Sequence, residues 1–72
     1  MSPERIILTI QIKPGEKEHI RARELDSLNI MAPEHEKHLV DYRKIDHERY
    51  KSAWEIVNRS PSVITVQINR VM

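Results

Sequence analysis

The stretch Pro33–Asn58, PEHEKHLVDYRKIDHERYKSAWEIVN, decides how the rest of the chain is read. It contains no glycine, and its one proline stands first, where a helix has no use for the missing N–H. Acid precedes base at helical spacing in Glu34/Lys37, Asp41/Lys44, Asp46/Arg49 and Glu48/Lys51, pairs that meet on a helix surface. At about 100° per residue, Leu39, Tyr50, Trp54 and Val57 fall on one line, flanked by Tyr42, Ile45, Ala53 and Ile56. The stretch therefore predicts one long helix, about 39 Å at ~1.5 Å per residue. Arg43, Asp46 and Arg49 intrude on its apolar arc. Asp46 and Arg49 are then expected to satisfy each other, because an unpaired charge beside apolar surface is costly. On that footing Arg49→Ala should destabilise more than Lys51→Ala, and Trp54 should be buried.

Working outward, Arg5–Lys13 (RIILTIQIK) alternates at period two, with Ile6, Leu8, Ile10 and Ile12 on one face, and reads as a strand ended by Pro14-Gly15. Glu16–Leu28 allows a helix or the second arm of a hairpin. Leu25-Asp26-Ser27-Leu28-Asn29-Ile30 resembles a helix stop with Asn29 in the left-handed position, which favours the helix. After the long helix, Ser60-Pro61-Ser62 breaks the pattern. Val63–Met72 (VITVQINRVM) then forms a second strand, with Ile64, Val66 and Ile68 on one face. The expected fold is α+β in the order β-α-α-β, one domain over residues 1–72: a two-stranded antiparallel ribbon packed on a helical hairpin. Two strands are too few for a stable sheet in water. The sheet is therefore expected to be extended by homodimerisation, through the strand carrying Val63, Thr65, Val66, Gln67 and Asn69.

Composition narrows the function. With 72 residues, a core of modest size needs help from a disulfide, a metal or a second subunit, and the absence of cysteine removes the first. Charged residues make up 32% of the chain, yet 12 basic against 11 acidic side chains leave a formal net charge of +1, not the basic excess of a general polyanion binder. The chain opens directly into a strand-like run and holds no apolar segment of spanning length, so a cytoplasmic protein without membrane contact is expected. His35 and His38, with Glu34 and Asp41 nearby, offer weak metal-ligand spacing, but no HExxH order. No serine sits in a nucleophile elbow, and the single glycine excludes phosphate-cradling loops. The expectation is a protein that is not an enzyme and takes no cofactor.

What remains is binding. Arginine with tyrosine and tryptophan is the composition of interface hot spots, so Tyr42, Arg43, Asp46, Arg49 and Tyr50 are the expected partner-binding residues. The expected function is a small interaction module, an adaptor or inhibitor of another protein of the kind that phages and mobile elements encode. The alternative is a dimeric nucleic-acid-binding regulator, with Arg21, Arg23, Arg43, Lys44, Arg49, Lys51, Arg59 and Arg70 on phosphates and Tyr42, Tyr50 and Trp54 stacked on bases.

Overall fold

Strand alternation, not the helical period, organises the chain. A computed structural model, describing residues 3–71, contains β1 (Glu4–Ile12), β2 (Lys17–Arg21), β3 (Asp26–Met31), β4 (Val40–His47), β5 (Lys51–Asn58) and β6 (Ile64–Val71). A 3-10 helix, Glu34–Leu39, joins β3 to β4. The strands make two antiparallel three-stranded sheets, ordered β1-β6-β3 and β2-β5-β4. The sheets face one another across a core of Ile12, Ile64, Val66 and Ile68 from the first and Ile20, Val40, Trp54 and Ile56 from the second. The α+β expectation is thus corrected to an all-β sandwich.

The long helix fails for a physical reason. Surface ion pairs on a helix contribute only ~0.2–0.5 kcal/mol each. Burying an aliphatic side chain contributes ~1.5–3 kcal/mol. As the central strand of its sheet, β5 buries Trp54 and Ile56 in the core while Ala53, on the opposite face, is also fully covered. A helix laid on a ribbon could bury only one arc. Of the four acid–base pairs read at helical spacing, Glu34/Lys37 alone forms an ion pair among the described residues, inside the 3-10 helix at 3.3 Å. Trp54 is buried as expected, at 7% exposure, but between two sheets.

Glu16–Leu28 is neither a helix nor a hairpin arm returning to β1. Lys13-Pro14-Gly15-Glu16 closes a turn in which Glu16 N–H donates to the Lys13 carbonyl at 3.1 Å, with Gly15 at φ +80°. That turn, of the type that places proline before a left-handed glycine, sends β2 to the opposite sheet, where it pairs with β5. Asn29, expected to cap a helix in the left-handed region, lies extended in β3.

The last strand stands where it was read, but its surroundings differ. Ile64, Val66 and Ile68 are buried, while both flanks of β6 are taken, by β1 and by β3. The free edge assumed for a dimer through Val63, Thr65, Val66, Gln67 and Asn69 does not exist, and Val66 is in the core. Val63 precedes the strand and is exposed. Met72 lies outside the described residues. In β1 a bulge between Ile6 and Leu8 shifts the register. Leu8, Ile10 and Ile12 keep the inward face, opposite Ile68, Val66 and Ile64, whereas Ile6 is opposite Asn69 on the outer face.

One polar network is built into the interior. Asn58 is fully buried; its Nδ2 donates to the carbonyls of Ile12 and Ser62, at 2.9 and 2.8 Å. Its Oδ1 accepts from the N–H and the Oγ–H of Ser60, at 3.0 and 2.6 Å. The Asn58-Arg59-Ser60-Pro61-Ser62 segment, read as a helix end, is a stitched crossing from β5 to β6. All the hydrogen-bonding capacity of the Asn58 side chain is used inside the fold.

Candidate functional site

The two sheets are open along the side where β1 and β2 run. Each is an edge strand, paired on one flank only. Between them lies a cleft of about 600 Å³ whose floor is Ile10, Ile20 and Ile68 and whose mouth carries Ile7 and Leu8. Those two are 42% and 40% exposed, and their neighbour Ile6 58%. The polar rim is mostly basic: Arg21, Arg23, Arg70 and His19, against Glu18 and Asp26. Arg70 is committed, because its Nε and Nη2 donate to both oxygens of Asp26 at 2.7 and 3.1 Å. The Asp26 side chain is only 2% exposed, and the bidentate guanidinium holds its carboxyl below the ordinary value. Arg21 instead lies over the ring of Tyr50 at 5.6 Å.

Around the corner, the outer face of β2-β5-β4 carries a cross-strand row. His19, Glu55 and Arg43 stand at one level of the register. His19 Nε2 is 3.1 Å from Glu55 Oε2, and Arg43 donates to Oε1 through Nε and Nη2 at 3.3 and 3.2 Å. The hydrogen bond with His19, helped by Arg43 and the positive charge of Lys17, holds the Glu55 carboxyl below its ordinary value against the opposing effect of burial. At the head of this face the β4–β5 turn is organised by a histidine. His47 Nδ1 accepts the N–H groups of Arg49 and Tyr50 at 3.0 and 3.1 Å, so the ring proton of that tautomer is on Nε2. The Tyr50 ring stacks on it at 4.6 Å. Lys51 follows with φ +68°, and Ser52 N–H donates to the Tyr50 carbonyl at 2.8 Å, the pattern of a γ-turn centred on a non-glycine residue.

The expected partner-binding residues do not form one patch. Tyr50 lines the β1/β2 cleft. Arg43 is on the outer face, holding Glu55. Tyr42, 61% exposed, belongs to the opposite side, where it borders a groove with Leu28 and Ile30. Asp46 and Arg49 are exposed, and no ion pair joins them among the described residues. A helical arc would have gathered all five; β4 alternates instead and sends Tyr42 and Arg43 to opposite faces, although both border a groove at its edge. The period-two placement of Lys17, His19 and Arg21 was the available signal for the basic face, masked by reading that segment as a helix.

Among the described residues, no serine is hydrogen-bonded to a histidine or carboxylate, and no group of metal-ligating side chains of sufficient size is gathered, His35 and His38 included. No helix of the described residues is long and apolar enough to cross a membrane.

The chain matches no protein family, no curated protein and no solved structure. Its functional reading rests on the geometry above.

Proposed function

We propose that the protein is a non-enzymatic interaction module, an adaptor or inhibitor, that takes up an extended segment of another protein along the free edge of β1. The observation that supports this reading is the pair Ile7-Leu8, exposed on an unpaired edge and opening onto the cleft. Long apolar edges are avoided unless covered. Two of the other three edges are blunted by charge: β2 carries Lys17, Glu18 and Arg21, and β4 carries Asp41, Arg43, Lys44 and Asp46. The bulge at Ile7 divides the regular pairing of β1 into Glu4–Ile6 and Leu8–Ile12, the longer stretch lying beside the cleft. An added strand would gain backbone hydrogen bonds there and seat alternate side chains on Ile10, Ile20 and Ile68. Arg21 and Arg23 at the rim favour a segment with acidic side chains.

The test is affinity capture followed by titration of the captured partner. Ile7→Lys, a charge of the kind that protects natural edges, is expected to weaken binding about tenfold or more without changing the far-ultraviolet spectrum. Lys44→Glu, away from the cleft, should leave binding unchanged. Equal loss in both variants would overturn the β1 assignment.

A second reading has its own support. Lys17, His19 and Arg21 occupy alternate positions on one face of β2, beside Arg43 and Tyr50, and could track a nucleic-acid backbone. Glu55 and Asp41 oppose it by occupying Arg43 and Arg59, the latter at 2.8 Å. A mobility shift that falls steeply with salt and is abolished by Lys17→Glu/Arg21→Glu would favour it over the first.

A further inference from the structure

We propose that the outer face of the β1-β6-β3 sheet is a self-association surface, through which two copies of this chain pack sheet against sheet. This goes beyond the cleft reading and uses the other side of the sheet. In a chain that is 32% charged, the central positions of this face carry no ionisable side chain. Cross-strand rows read Thr9–Gln67–Asn29 and Gln11–Thr65–Met31, with Ile6–Asn69–Ser27 at the end near the bulge. The opposite face of the molecule carries Lys17, His19, Arg21, Arg43, Asp41 and Glu55. Charge has been kept from one face only.

That composition fits a second copy better than an arbitrary partner. Amide and hydroxyl side chains each donate and accept, so a surface made of them is complementary to itself under a two-fold axis. A face of lysines or glutamates would repel its own image. Apolar residues border the polar centre, with Met31 50% and Val63 52% exposed.

The rim sets the orientation. Glu4 begins β1 and Lys13 follows its end. A two-fold axis lying in the interface and crossing the strands lays β1 antiparallel over its copy. The Glu4 end of one copy then faces the Lys13 end of the other, twice per dimer. Facing sheets packed ~10 Å apart and nearly aligned satisfy this arrangement. Three strands ~4.8 Å apart and eight residues long, at ~3.3 Å each, span about 14 by 26 Å. That footprint is less than half the ~800 Å² per partner of a standard interface, so the complex is weak.

The test is sedimentation equilibrium of the full chain from micromolar to millimolar concentration. The wild type is expected to move from the 8.6 kDa chain mass to twice that value. Gln67→Lys, at the centre of the face, should abolish the dimer, and Asn29→Lys, on an exposed neighbouring position, should do the same if Gln67→Lys fails to fold. Mixing Gln67→Lys with Gln67→Glu should restore a mixed dimer, which a merely unfolded variant could not do. Ile7→Lys should leave the dimer intact while weakening capture at the cleft, which separates the two readings. A wild type that stays monomeric at millimolar concentration overturns the proposal, as does a dimer that survives Gln67→Lys.

Discussion

Asn58 shows how much one side chain can carry in a domain this small. Its amide ties β1, through the Ile12 carbonyl, to the Ser60–Ser62 crossing, so the two sheets are joined by a buried polar residue as well as by apolar contact. Asn58→Ala leaves several buried donors and acceptors unpaired, each costing ~1–3 kcal/mol. The expected loss is about 3 kcal/mol or more, out of a total near ~0.05–0.15 kcal/mol per residue. Urea denaturation checks this, and a loss below about 1 kcal/mol would mean that water replaces the amide. Lys51 is the opposite case, a residue in a conformation that side chains resist. Its φ of +68° favours glycine, so Lys51→Gly is expected to raise stability by ~0.5–1 kcal/mol, read as a higher melting temperature. Arg49, expected to be the more important of the two through Asp46, is exposed and joined to it by no ion pair among the described residues. Arg49→Ala should therefore be close to neutral.

Among the elements, β6 stands at the centre of its sheet, as β5 does of the other. It pairs with β1 on one flank and β3 on the other, and its inward side chains are almost fully buried. Proline in the middle of a central strand removes a ladder donor and distorts both neighbours. Val66→Pro is expected to unfold the protein, seen as loss of the strand signal in circular dichroism. At an exposed edge the same change would leave the strand signal intact. Retention of structure in Val66→Pro would contradict the central placement of β6. The 3-10 helix is the only remnant of the long helix. It begins after Pro33, whose ψ of 137° is extended, and ends as Val40 enters β4.

For the molecule as a whole, acid is the informative variable. Asp26 joins β3 to β6 through Arg70, and its carboxyl is held below the ordinary 3.8, first by the hydrogen bonds from Arg70. Glu55 is held below 4.5 in the other sheet, first by His19. A group with a depressed folded-state pKa binds protons more readily when unfolded. Its contribution is complete above the unfolded value and is lost as pH falls through the folded one. The melting temperature is therefore expected to fall as pH drops below about 4, starting at a slightly higher pH for the share due to Glu55. Asp26→Asn should lower stability at neutral pH and flatten that acid limb. An unchanged slope in the variant would assign the limb to other carboxylates.

The sequence by itself determined the two end strands, the turn at Pro14-Gly15, the buried faces of Ile64, Val66 and Ile68, and the burial of Trp54. These are local properties: period-two alternation and glycine's access to positive φ are written in consecutive residues. The middle of the chain was misread because a central strand covered on both faces has no period of its own. Ala53, Trp54, Ile56 and Val57 fit a helical arc as well as a strand, and Asp41 fits helical spacing to Lys44 although it pairs with Arg59 in the fold. Only the tertiary structure decided between them. The partners of β5 are β2 and β4, and those of β6 are β1 and β3, so the ends of the chain meet in one sheet. A strand's second face is buried only when such distant neighbours arrive. The same closure left β1 and β2 with free edges and one outer sheet face without charge at its centre, and no residue discloses that until its neighbours are in place.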